Sequence, residues 1–279
     1  MATNRQKWQP KIIRRFIMNF ATGTEVVLVE TDQGKGYLKA LGNKAGPHAL
    51  ACEWVGTNLA RLLGLPTLDF ALIEIGEDDE IPLASGNPAL AGPAFITRAE
   101  RNVPWGGKAS ELQKVANPKD IGRLVLLDTW TLNCDRYPPD PNSRRPNWDN
   151  VFLSREGAPR GRCLIKAIDH THCFTCGDEL TSRLSHISRA KDERIYGLFP
   201  EFEPFLDRND MKRALSDLQT IKRSDVEKVV RAIPVEWQVN RPIRDALVNL
   251  ICDRAQFLVD DFISRKWPQG EFDYREENL

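Results

Sequence analysis

Apolar residues recur along this chain with two different periods, and the change from one to the other divides it. Residues 24–31, Thr-Glu-Val-Val-Leu-Val-Glu-Thr, are rich in β-branched side chains and predict a strand. Asp32-Gln33-Gly34 supplies turn chemistry, and residues 36–41 return as a second strand. Pro47 to Leu63 predicts a helix. It stops at Gly64, with Pro66 beyond, because glycine accepts the left-handed cap and proline cannot continue a helix. Residues 70–75 and 93–98 predict two more strands. Between them, residues 76–92 are acidic, then rich in Gly and Pro, and read as an exposed connection.

The period then lengthens. Residues 98–107 contain Arg98, Asn102, Pro104, Gly106 and Gly107 and read as a crossing segment. From Pro118 onward, Ile121, Leu124, Val125, Asp128 and Leu132 recur at helical spacing. Short strands are expected at 150–153 and 163–168, joined by a polar turn from Ser154 to Gly161. The remaining third is helical. Ser224 and Glu227 have the spacing of a capping box. Ile243, Leu247, Leu250, Ile251, Leu258 and Phe262 stripe a long final helix, and the tail after Trp267-Pro268 is polar. The expectation is an α+β chain with a small β-rich unit over 1–100 and a mainly helical unit over 101–279, without internal repeats.

Candidate chemistry falls at the joins between these elements. Asp135 lies in Leu-Asn-Cys-Asp-Arg, just after the predicted helix. A proline-rich loop follows, then Asn147-Trp148-Asp149-Asn150 at a strand entrance, then Asp169 after the strand Leu-Ile-Lys-Ala-Ile. Phosphoryl transfer needs one Asp to orient the nucleophile's proton, and an Asn and a second Asp to hold magnesium against ATP phosphates. These residues stand in that order. Upstream, Lys39 sits in a strand and Glu53 on the following helix, the arrangement of a phosphate-contacting lysine and its ion-pair partner. Each residue alone reads as ordinary loop or surface chemistry; the joint order carries the weight. Lys35 is a rival to Lys39 but lies in a turn. Gly34 and Gly36 read as a hairpin turn, whereas Gly42 to Pro47, with Asn43 and Lys44, is the better cover for a phosphate because it opens a helix.

Together these residues resemble the HipA-like kinase family, with a more distant likeness to the phosphoinositide kinases. The matching pieces are Lys39, Gly42 to Leu50 entering Glu53, Leu59 to Pro66, Asp128 to Arg136, and Ile168-Asp169-His170, covering about residues 20 to 180. The resemblance implies a protein-kinase-like bilobal fold and a serine/threonine kinase using ATP and Mg²⁺. It implies Asp135 as catalytic base, Asn150 and Asp169 as magnesium ligands, and Lys39 as the phosphate-binding lysine paired with Glu53. It also implies a toxin or regulatory role with an antitoxin-type protein partner. One departure stands out: family members place the metal Asn a few residues after the base, whereas here Tyr137 to Asp149 intervene, with Pro138, Pro139, Pro141 and Pro146. Asn147 therefore competes with Asn150, and Asn150 is preferred because it precedes Val151-Phe152-Leu153. The acceptor stays open between a protein hydroxyl and a small molecule or lipid head group. A non-catalytic nucleotide-binding module is a further alternative.

Composition narrows the partners. Lys plus Arg and Asp plus Glu are both 39, so no net charge favours nucleic acid or a membrane surface. The six cysteines are dispersed, the apolar run Phe16 to Phe20 is too short for a secretory leader, and no stretch approaches a membrane span. A reduced, cytoplasmic setting is expected. His170, His172, Cys173 and Cys176 are zinc-ligand types, but one cluster without a second pair is weak. They are expected to pack, with His170 orienting the Asp169 loop. Trp54, Trp130 and Trp148 are expected to pack rather than form an adenine platform.

Overall fold

The computed structural model describes residues 8–268, so the polar tail expected after Pro268 lies outside the described residues. The first part of the chain gives β1 (Ile13–Asn19), β2 (Val27–Thr31), β3 (Gly34–Lys39), α1 (Pro47–Leu62), β4 (Phe70–Ile75) and β5 (Gly92–Arg98). The strands form one antiparallel sheet in the order β1-β2-β3-β5-β4. Side chains alternate across it. Val27, Val29, Leu38, Ile73, Ala94 and Ile96 build a core on one face. Phe70 and Phe95 join the other core, with Leu50, Val55 and Leu59 of α1.

The second part begins with β6 (Asn102–Val103), α2 (Ala109–Leu112) and α3 (Lys119–Thr131). It continues with β7 (Phe152–Ser154), β8 (Leu164–Lys166), α4 (Ile187–Ala190), α5 (Arg208–Thr220), α6 (Arg223–Arg231) and α7 (Arg241–Lys266). A small antiparallel sheet, β6-β7-β8, lies at the junction of the two parts. α7 packs against α3, α5 and α6 and buries the striped residues Ile243, Leu247, Leu250, Ile251, Leu258 and Phe262. The architecture is mixed α+β, with an N-terminal sheet and a C-terminal helical region.

Hydrogen bonds tie the two parts together at several points. Trp237 Nε1 donates to the Pro93 carbonyl at 2.9 Å, Trp54 Nε1 to Val229 at 3.1 Å, the Ala167 amide to Pro66 at 2.8 Å, and the Leu180 amide to His48 Nδ1 at 3.0 Å. Trp54 and Trp130 are packing residues, Trp130 also donating to Ile251 at 2.8 Å, while Trp148 is exposed beside Gly107.

Several expectations are corrected. β1 was not foreseen: it is a largely exposed edge strand carrying Arg14 and Arg15, and irregular register at two points breaks its alternation. The strand expected at 24–31 starts at Val27, because Glu25 turns at φ 50° and is buried. The strand expected at 36–41 is shifted back to Gly34–Lys39, so Lys39 is its last residue. Residues 148–150 form a 3-10 turn rather than the start of a strand. Ser224 forms no capping box: it lies inside α6, and Glu227 instead accepts from Arg223 at 3.1 Å.

Candidate active site

The cleft between the sheet and the helical region gathers residues far apart in sequence. Lys39 reaches it from the end of β3, which pairs with β5 through Lys39 and Phe95. Its Nζ donates to Glu53 Oε2 at 2.7 Å and to Asp169 Oδ1 at 3.0 Å. Glu53 Oε2 also accepts the His170 amide at 2.9 Å, so α1 is hydrogen-bonded to the segment that carries Asp169. Burial opposes the charged form of Lys39, but Asp169 and Glu53 outweigh it and hold its pKa above the ordinary value. Burial likewise lifts the Asp169 carboxyl, yet the Lys39 ammonium and a hydrogen bond from Thr171 hold it well below the usual carboxylate range. Asp169 is thus a firm anion at the mouth of the cleft. It adopts a left-handed backbone at φ 54°, which Asp tolerates better than most residues.

α3 delivers the second half of the site. Leu132 ends that helix in a left-handed conformation, φ 55°, and turns the chain sharply into Asn133-Cys134-Asp135. Asn133 fixes the turn, donating to Asp128 Oδ1 at 2.9 Å and accepting the Asp135 amide at 3.2 Å. Asp135 Oδ2 accepts from Asn150 Nδ2 at 2.7 Å and Asn147 Nδ2 at 3.4 Å. The shorter bond belongs to the buried Asn150.

Beneath this loop lies a residue whose role sequence reasoning missed. Arg136 is fully buried. Its Nε donates to Asp128 Oδ2 at 2.7 Å, its Nη1 to the Asn150 carbonyl, and its Nη2 to the Ile168 carbonyl at 2.8 Å. One guanidinium therefore clamps α3, the Asn150 turn and the strand leading to Asp169. Arg254 was also missed. From inside α7 it donates to the carbonyls of Thr129, Arg189, Ala190 and Asp192. A cation on an otherwise apolar helix face is the available signal for it, and the apolar stripe passes over it.

The cleft cavity has a volume of about 240 Å³. Val26, Leu68, Phe95, Phe152 and Ile168 give it apolar walls suited to a flat base, and Lys39, Glu53 and Asp169 line its polar end. A larger cavity of about 390 Å³, near the β7–β8 turn, is lined by Lys114, Arg155, Arg160 and Arg162. The smaller one is the candidate site, because the ion-paired Lys39, Glu53 and Asp169 line it; Asp149 lines it too, whereas Asp135 and Asn150 do not. Asn43 and Lys44 line neither. The Asn43 amide is engaged within its own loop, donating to Ala40 at 2.6 Å and accepting the Ala45 amide at 2.9 Å. The Lys44 amide donates to Glu25 Oε2 at 2.9 Å, while Glu25 Oε1 accepts the Ser85 amide at 2.6 Å. Glu25 thus knits three loops above the cleft. Lys35 is exposed at the hairpin, away from the site.

The His and Cys residues after Asp169 do not assemble as metal ligands. Among the described residues, no group of three or more His, Cys, Asp or Glu side chains is arranged to hold a metal ion. His170 is buried against Gly56 of α1, and burial pushes its pKa down to about 3, so it is a neutral packing ring. The Cys173 thiol meets Thr131 Oγ1 at 3.3 Å. No helix among the described residues is long and apolar enough to cross a membrane.

Comparison with known proteins places the chain in a family and matches its fold. The HipA-like kinase family model matches residues 11–267, and the chain belongs to that family. A search of curated protein sequences finds no match. Among solved structures, the chain is similar to the Helicobacter pylori proinflammatory kinase CtkA, with TM-score 0.61 and 11% identity over 93% of this chain and 98% of that one. It is also similar to the Golgi casein kinase, with TM-score 0.50 and 10% identity over 93% of this chain and 74% of that one. At such identities the likeness concerns the fold.

Proposed function

We propose that this protein is an ATP- and Mg²⁺-dependent phosphotransferase that phosphorylates a hydroxyl, most naturally a protein serine or threonine. The observation that carries the reading is the Glu53–Lys39–Asp169 bridge, at 2.7 and 3.0 Å, tied to the Asp135–Asn150 pair by Arg136, which donates to the carbonyls of both Asn150 and Ile168. Both kinds of element are needed for transfer, one to hold phosphates and one to position the nucleophile.

The donor set suits magnesium. This ion is commonly held by one or two carboxylates, with substrate phosphates and water completing its shell. Asp169 offers such a carboxylate. The Asn150 amide nitrogen is engaged by Asp135, which leaves its amide oxygen as the atom that would bind a cation. When bound, magnesium would supply neutralisation of phosphate charge. Lys39, kept cationic by its two carboxylates, would bind phosphate oxygens and withdraw charge from them. Asp135 would receive the acceptor's proton as the acceptor oxygen bonds to the γ-phosphorus and the bond from that phosphorus to the ADP oxygen breaks. Asn150 orients the Asp135 carboxylate for that step.

The test is phosphoryl transfer by the purified full chain. Asp135→Ala should lower turnover by about 10²–10⁴-fold while ATP binding persists. Asp149, exposed at the edge of the cleft, is the competing acid. Loss of turnover in Asp149→Ala with Asp135→Ala unaffected would overturn the assignment.

A further inference from the structure

The loop from Tyr137 to Asp149 folds back onto the proposed base. It is anchored at both ends: Tyr137 accepts the Gly197 amide at 2.8 Å, and the Asn147 amide donates to Arg136 at 3.0 Å. Asp140 builds a turn within it, accepting the Asn142 amide at 2.9 Å and the Ser143 hydroxyl at 2.6 Å. That turn aims Arg144 inward while Arg145 stays exposed. Arg144 Nη2 lies 2.7 Å from Asp135 Oδ1 and 2.9 Å from His172 Nε2. Its Nη1 donates to the Cys176 carbonyl at 3.4 Å. Asn150 and Asn147 occupy the other carboxylate oxygen, Oδ2. The oxygen left to receive an acceptor proton is therefore the one that Arg144 covers.

We propose that Arg144 is a latch on Asp135 that an acceptor displaces, and that it selects acceptors bearing a carboxylate or phosphate beside their hydroxyl. This inference rests on the phosphotransferase reading above. A guanidinium on Oδ1 fills the place of the incoming hydroxyl. Its side chain is 36% exposed, so it can leave without opening the core. The displaced fork keeps its charge and donors, and a carboxylate or phosphate matches both in a bidentate pair. An anion beside the hydroxyl thus exchanges one ion pair for another. A cationic acceptor breaks the pair and adds repulsion.

The test compares wild type, Arg144→Gln, Arg144→Glu and Arg144→Lys with MgATP. The acceptors are water, matched serine peptides flanked by Glu or by Lys, glycerol and glycerol 3-phosphate. Wild type should favour the Glu-flanked peptide over the Lys-flanked one by about tenfold or more in kcat/KM. Glycerol 3-phosphate favoured over glycerol, with both peptides inert, would place the same anionic chemistry on a small acceptor. Arg144→Gln should erase the preference and raise phosphate release to water; Arg144→Glu should reverse it; Arg144→Lys should retain its sign. Equal slowing of every acceptor in Arg144→Gln overturns the latch, because Arg144 would then be positioning the base. So does transfer, to water or to any acceptor, that ignores residue 144. No transfer by wild type or any variant overturns the phosphotransferase reading itself.

Discussion

At the scale of single residues, the site is governed by how charges are paired once water is removed. Lys39 satisfies two carboxylates, and each of its partners is held by something else: Glu53 by the His170 amide and Asp169 by Thr171. Lys39→Met removes the only cation of this trio and leaves Glu53 and Asp169 facing without charge compensation. Breaking a buried pair in this way typically destabilises by about 3–5 kcal/mol, so the variant should melt well below wild type as well as lose nucleotide binding. An unchanged melting temperature in calorimetry would mean that the bridge adds nothing to the fold. Lys39, Asp135, Asn150 and Asp169 could be nominated from the sequence because each lies at or just beyond an element's end, whereas Glu53, inside α1, could be nominated only from its place on the helix that follows Lys39. Asn43 and Lys44 could not be judged that way. Their loop is closed by its own hydrogen bonds and by Glu25, and a glycine-rich helix entrance does not reveal which groups are already engaged.

At the scale of elements, the segments that carry the candidate site are held in register by two close approaches. One is Arg136, which joins Asp128, the Asn150 turn and the Ile168 carbonyl. Arg136→Lys keeps the charge but loses the planar fork that serves three partners at once. It should reduce turnover more than ATP affinity, because the Asn150 turn and the Asp135 loop would lose their common support. Equal losses in kcat and in ATP affinity would show that Arg136 acts on the whole cleft. The other approach is Gly56, where α1 lies directly on His170. A β-carbon at Gly56 would overlap the His170 side chain and push α1 away from the Asp169 segment. Gly56→Ala should therefore weaken nucleotide binding although residue 56 touches no phosphate, and normal binding in that variant would show that the helix can shift freely. Helices and central strands were readable because their apolar runs are long enough to show a period. β1 and β6 were not: the first is an irregular, charged edge, and the second is two residues long. A strand that short shows no alternation, and its pairing with β7 is set by tertiary contact.

At the scale of the whole molecule, the two parts share one continuous core that runs from Phe70 and Phe95 through α1 to α7. Arg254 is the polar pin of the helical side. It closes the carbonyl of Thr129 near the end of α3 and those of Arg189, Ala190 and Asp192 around the end of α4. Helix ends leave such carbonyls without intrahelical partners, and each buried one left unsatisfied costs about 1–3 kcal/mol. Arg254→Leu fits an apolar face but abandons these acceptors together, so it should lower stability by several kcal/mol without touching the cleft. Binding of ATP separates that effect from chemistry. A ligand at ~100 times its dissociation constant stabilises by about 2.7 kcal/mol. The resulting rise in melting temperature should persist in Arg254→Leu from its lower baseline, since Lys39 and Asp169 are untouched. In Asp169→Asn the baseline should fall, because Lys39 loses one of its two counter-charges, and the part of the shift that requires magnesium should vanish, because the amide replaces the anionic ligand at nearly equal volume. A magnesium-dependent shift of wild-type size in Asp169→Asn would remove Asp169 as the metal ligand, and with it the main support for phosphoryl transfer in this cleft.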